Sequence, residues 1–203
     1  NRLGIDDSFE EGKSITLGLD FKKTDTSDVN KFFEAKIATV YRENDVSFIP
    51  STSGINKKNS NIFGNISNNF SENININYDF IIDNDLNTLE YNSLNTTLYY
   101  KNLTTKFDFI EESGQMGNTN TLANNTKIKF NESNYLSFNT RRNREINLTE
   151  YYDLIYEYKN DCLVAGIKYN KTYYEDRDLK PSENLMFTVT LSPLTTFEQK
   201  VDK

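Results

Sequence analysis

Apolar and polar residues alternate with period two along most of this chain. Ile15, Leu17, Leu19 and Phe21 fall on one side of an extended backbone, and Thr16, Gly18, Asp20 and Lys22 fall on the other. Phe33, Ala35, Ile37, Thr39 and Tyr41 repeat the pattern against Glu34, Lys36 and Arg42, as do Ile62, Gly64, Ile66 and Phe70 against Asn65, Ser67 and Asn69. It is sharpest where Ile74, Ile76, Tyr78, Phe80 and Ile82 alternate with Asn75, Asn77, Asp79 and Asp83. Further segments near 88–100, 102–110, 125–131, 134–143, 149–158, 162–174 and 184–193 bring the count to about eleven strands, and helical stripes are absent. Each is close to the roughly 9–11 residues that cross a bilayer at a tilt, whereas soluble strands average about five or six.

The connections alternate too. Long or medium stretches at 42–60, 83–88, 111–124, 144–147 and 175–184 take turns with tight ones at 71–73, 101–102, 131–134 and 159–161. Outer-membrane barrels place short turns on the periplasmic side and longer loops outside, and a soluble meander has no reason to keep that order. Pro50 and Pro181 fall in loops and Pro193 at the end of the last strand, where a missing N–H costs least. No composition break divides residues 1–203. The fold expected is therefore all-β, an antiparallel transmembrane outer-membrane β-barrel segment of about eleven strands, with both ends of the topology and a tail at 195–203 on the periplasmic side.

Composition sharpens this picture. Apolar residues make up 36% of the 203 and the mean hydropathy is -0.71, values that verge on disorder, yet there are 13 Tyr and 14 Phe. A polar average with many large aromatics is expected when every second residue faces lipid and the others water. No apolar run approaches the roughly 20 residues of a membrane-spanning helix. Asn1 is not followed by a basic start and an apolar run, so neither a signal peptide nor an N-terminal anchor is read there. A net charge of -7 argues against nucleic acid as a partner. The abundant Asn gives the Asn-X-Ser/Thr triplets little weight as glycosylation signals.

Candidate chemistry is sparse. The absence of His removes His-based triads and His-containing metal or haem sites, and no enzyme or cofactor is expected. Asp83, Asp85 and Asn87 open like a calcium loop, but Thr88 stands where Gly is needed and Leu94 where a bidentate Glu belongs. Asp176, Arg177 and Asp178 read as a solvated loop. The pairs Glu10–Glu11 and Glu111–Glu112 have nothing nearby to tune them for acid–base work. Arg141, Arg142 and Arg144 suit either lipid phosphates or a lumen-facing or rim position balanced by Glu145. Cys162, the single cysteine, falls beside a tight turn on the periplasmic side. It is either an ordinary buried thiol or one placed to bond a soluble domain below the barrel.

The run Tyr152-Asp153-Leu154-Ile155-Tyr156-Glu157-Tyr158-Lys159-Asn160-Asp161-Cys162-Leu163 resembles the corresponding stretch of the barrels of the lipopolysaccharide-assembly family LptD. So do Tyr173-Tyr174-Glu175-Asp176-Arg177-Asp178-Leu179-Lys180-Pro181 and the strand from Leu185 to Leu194. Upstream, Arg2 to Gly12 and the loop Phe48-Ile49-Pro50 through Ser53-Gly54 also look familiar. The resemblance implies the C-terminal portion of a very large barrel, lacking its first strands and an N-terminal periplasmic domain of jelly-roll type, that inserts lipopolysaccharide into the outer leaflet. Its implied partners are lipopolysaccharide, outer-membrane lipid, an LptE-like plug lipoprotein and an LptA-like periplasmic bridge. It further implies a disulfide from Cys162 to the N-terminal region, and a lateral-gate strand carrying Leu185, Phe187, Val189, Leu191 and Pro193. Some family members carry adjacent cysteines where this chain has one, which leaves the number of bridges open.

Three rival readings compete with it. The first is a small self-contained outer-membrane pore or binding barrel of porin or adhesin type, the second a soluble β-sandwich or solenoid, and the third an outer-membrane lipase or protease. An even strand number would favour the first, and missing His weakens the last.

Overall fold

A computed structural model describes residues 12–114, 117–173, 180–191 and 195–202. Period-two alternation gives strands throughout: β1 (Ser14–Thr24), β2 (Phe32–Arg42), β3 (Ile62–Ser71), β4 (Ile74–Ile82), β5 (Leu89–Tyr100), β6 (Leu103–Glu112), β7 (Thr119–Lys129), β8 (Asn134–Asn143), β9 (Leu148–Lys159), β10 (Leu163–Thr172), β11 (Ser182–Leu191) and β12 (Thr195–Asp202). The one helical element among the described residues is a 3-10 turn at Ser51–Ser53. The strands form one antiparallel meander in sequence order, each touching only its neighbours in the chain.

The all-β antiparallel fold expected from the sequence is the one observed, with three corrections. The described residues form twelve strands rather than eleven, because residues 195–202 pair with β11 instead of forming a tail. That extra strand carries the chain back to the end from which β1 departs, so both described ends lie with the long connections, not with the short turns. The stretch 111–124 also shortens as a loop, since β7 already begins at Thr119 and pairs with Glu112 there.

Hydrogen-bonded register fixes which residues share a face. Leu19 opposes Ile37, Ile37 opposes Gly64, and Gly64 opposes Phe80. At the far side Leu154 opposes Tyr169, and Tyr169 opposes Leu185. One face is thus largely apolar from β1 to β11. Bulges at Ile81/Ile82 and Arg141/Arg142 keep the register in step near the long-loop end.

Burial is inverted relative to a soluble protein. Along β11 the apolar-face residues Leu185, Phe187, Val189 and Leu191 are exposed, while Asn184, Met186, Thr188 and Thr190 between them are partly covered. Val46, at 9% exposure, is the one buried hydrophobic residue among those described, and the buried polar residues outnumber it. A single-layer sheet whose apolar side is the more exposed has no core of its own, and hydrocarbon is the medium that covers such a face. With strands of 8 to 12 residues and short turns segregated to one end, this is the wall of a transmembrane β-barrel of the outer-membrane type.

Candidate functional site

The sheltered polar face is the part of the wall able to meet a solute, and its side chains are tied together. On β1 and β2, Lys36 lies 3.0 Å from Glu34 and 3.8 Å from Asp20, while Lys22 lies 3.8 Å from Glu34. On β3 and β4 the Asn65 amide donates to Asp79 at 2.6 Å and the Asn77 amide to the other Asp79 oxygen at 2.7 Å, with Ser67 donating to Asn77 at 2.6 Å. Further round, Asn125 bonds Asn139, and Asp153 pairs with Lys168 at 3.2 Å while accepting from the Asn170 amide. Amides between carboxylates hold the acids in place without neutralising each of them, which gives a lining of fixed dipoles and paired charges.

At the long-loop end, residues 43–61 fold back onto the wall. The Arg42 N–H donates to the Lys58 carbonyl at 2.8 Å and the Ser60 N–H to the Val40 carbonyl at 2.9 Å, so the loop's return limb prolongs the β2 ladder. Arg42 Nε reaches the Ile55 carbonyl at 2.9 Å, and the Asn61 amide donates to Glu90 at 2.6 Å. Arg42, Ser60, Asn61 and Glu90 are among the few buried polar residues described. Gly54 holds φ at 67°, and an added Cβ would lie 2.7 Å from the Asn61 amide, so only glycine lets the loop close here. The sequence marked this stretch as a loop and no more; its Pro50 and Ser53-Gly54 turn signals were the available clue to a built structure.

At the opposite end Lys31 bonds Glu72 at 2.8 Å and ties the turn after β1 to the turn after β3. The Lys31 ammonium holds the Glu72 carboxyl below its usual range, and Glu72 raises Lys31 in return.

The apolar face carries a polar island at the middle of the wall. Asn124, at the middle of β7, donates to the Thr105 hydroxyl at 2.9 Å and to the Lys106 carbonyl at 3.0 Å; Thr126 donates to Asn124 at 3.0 Å, and the two threonine hydroxyls are 2.7 Å apart. Every side-chain hydrogen of this ring of three has an acceptor, which is what makes the group tolerable against hydrocarbon. Thr126→Val is expected to strand the Asn124 oxygen and lower folding stability in lipid by about 1–2 kcal/mol, measured by urea titration of vesicle-folded protein.

The residues singled out from the sequence separate on inspection. Glu111 and Glu112 project to opposite faces, and Glu111 accepts amide hydrogens from Asn92 and Asn120 at 2.9 and 2.8 Å. Asp83 accepts the Asn87 and Thr88 N–H groups at 2.7 and 3.0 Å, closing its own turn. No group of three metal-ligating acidic, Cys or His residues gathers among the described residues. Arg141 pairs with Glu150 at 3.1 Å, Arg142 bonds Asn147, and Arg144 lies 5.5 Å from the Phe109 ring centre. The balancing group expected in Glu145 bonds Asn118 instead.

Cys162 is exposed in the tight turn between β9 and β10, its N–H donating to Asn160 at 3.0 Å. It is not the buried thiol of the first reading. Leu185, Phe187, Val189 and Leu191 lie on β11, which is paired on both sides, by β10 and β12, so they sit inside the ladder and not at its edge. Pro193, Glu10, Glu11 and the cluster Asp176, Arg177 and Asp178 lie outside the described residues.

No family model and no curated protein matches the chain. Among solved structures it is similar to mutant forms of Rhodopseudomonas blastica porin. One is 10% identical, covering 94% of this chain and 84% of the porin with a TM-score of 0.46. A second is 10% identical over 93% and 85% with a TM-score of 0.47. These findings correct the resemblance to LptD, which no family model and no curated protein supports. The lateral-gate role and the lipopolysaccharide, plug and bridge partners rested on that resemblance alone.

Proposed function

We propose that this chain forms part of the wall of an outer-membrane barrel that acts as a pore or binding barrel for small polar solutes. One observation carries the reading: the face that is sheltered is the hydrogen-bonded polar one, and the face left exposed is apolar, an arrangement useful only when lipid lies outside and water inside. We further propose that these strands are a portion of a larger barrel. The sheet orders β1 to β12 without pairing its two outer strands, and an open sheet edge is not sustained within hydrocarbon. Additional strands beside β1 and β12 satisfy that requirement.

The test is to purify the full-length gene product from membranes and reconstitute it in planar bilayers. Retention in the membrane through an alkaline wash, with stepwise ohmic conductance, supports the pore. Extraction by the wash sinks the membrane reading, and retention without conductance leaves a sealed barrel and overturns the pore.

A further inference from the structure

The three arginines at the end of β8 separate by register. Leu122 opposes Arg142 and Ala123 opposes Arg141, so Arg142 shares the apolar face with Leu122 while Arg141 takes the polar one. Arg144 follows Arg142 on the same face and carries the ladder one step further, its N–H donating to the Asn120 carbonyl at 2.6 Å. Its guanidinium reaches back across β7 to stand 5.5 Å from the centre of the Phe109 ring on β6. Leu122 opposes both Phe109 and Arg142, so an exposed leucine is flanked by a cation on either side.

Both cations keep donors to spare, since a guanidinium carries five N–H groups. Arg142 bonds the Asn147 side chain and Arg144 presents itself to a ring; both partners are neutral, and among the described residues no carboxylate lies within ion-pair distance of either. The acids of this rim are engaged elsewhere: Glu111 accepts from Asn92 and Asn120, Glu145 from Asn118, and Glu150 pairs with Arg141. The turn after β8 is braced by the Asn143 side chain, which accepts the Glu145 and Ile146 N–H groups at 3.0 and 3.3 Å. Arg142 lies eight residues beyond Asn134, the start of β8, which is about 27 Å along the strand and about 21 Å along the membrane normal at a tilt near 40°. Arg144 stands about 5 Å higher, so an outward apolar band about 25 Å tall ends between the two.

We infer that Arg142 and Arg144 hold the phosphate of an anionic lipid of the outer leaflet, whose acyl chain runs down over Leu122. The inference rests on the membrane-spanning reading of the sheet. The long-loop end faces away from the cell, which sets the leaflet. Guanidinium forks match phosphate oxygens, and charge-assisted bonds of this kind strengthen at the edge of the hydrocarbon, where water is scarce. A solute inside the barrel meets the polar face and so cannot reach either side chain. Leu122 and Phe109 supply an apolar surface that a free anion would not use.

The experiment folds the full-length protein into phosphatidylcholine vesicles, transfers it to mixed micelles, and counts by native mass spectrometry the lipid retained from equal amounts of diphosphorylated lipid A and its dephosphorylated form. The wild type should retain the phosphorylated form about tenfold more. Arg142→Gln with Arg144→Gln should remove that preference. Lys127→Gln with Lys129→Gln, the same loss of charge on the polar face near the short turns, should leave it intact. Excess inorganic phosphate should not displace the lipid. A preference that survives Arg142→Gln with Arg144→Gln, or that falls equally in both double variants, overturns the site, and displacement by inorganic phosphate overturns the lipid as its occupant. Those outcomes leave the wall standing, provided the protein stays in the vesicles through an alkaline wash. A wild type that the wash extracts overturns the membrane reading itself.

Discussion

Ile167→Arg is expected to destabilise the folded wall in a phospholipid bilayer by about 2–4 kcal/mol, the cost of a guanidinium facing lipid near the midplane. Ile167 lies at the middle of β10 on the apolar face, 43% exposed, between Tyr156 and Phe187. Its neighbourhood offers no carboxylate on that face. The matched control is Thr188→Lys, one step along the paired strand and on the polar face opposite Gly166, where a long cation meets water and no Cβ. That variant should change stability by about 0.5 kcal/mol or less. Urea titration of folding into vesicles, followed by the mobility shift of the folded form, reads both. Equal effects for the two substitutions would mean that both faces are wet, and a soluble sandwich would replace the barrel wall.

Gly64→Ala should cost about 1–3 kcal/mol, the usual effect of overpacking, because a new methyl would overlap the Phe80 ring and force it off its rotamer. The ring covers Gly64 as an aromatic residue covers a strand glycine in a cross-strand pair, supplying the contact the missing side chain cannot. The informative measurement is the double variant. Phe80→Ala alone removes a large apolar contact, but combined with Gly64→Ala it relieves the overlap, so the pair should be less damaging than the two single losses added. Additive losses would show that the ring and the glycine do not share one packing arrangement.

Both predictions depend on face assignment, and that assignment was written in the chain. Period-two alternation in Ile74 to Ile82 and its counterparts set the strand class, strand length pointed to a bilayer, and turn spacing separated the two ends, because side-chain direction in a strand follows sequence parity alone. Cys162 beside a tight turn was legible for the same reason. Short motifs proved weaker. The runs from Tyr152 to Lys159 and from Leu185 to Leu191 are strand segments whose aromatic and aliphatic alternation any barrel wall requires, so likeness there does not mark a particular family.

What only the tertiary structure decided is which strand lies beside which residue. The sequence left 195–203 as a tail because Thr195-Thr196-Phe197-Glu198 alternates weakly; pairing with β11 made it a strand and moved β11 from edge to interior. The Glu111–Glu112 pair dissolved once strand geometry sent the two carboxylates to opposite faces. The Asn61–Glu90 and Asn124–Thr105 bonds join residues 29 and 19 positions apart in the chain. Sequence parity determines which face a residue occupies, but hydrogen-bonded register determines its neighbours across the ladder, and a shift of that register is not visible in any one strand.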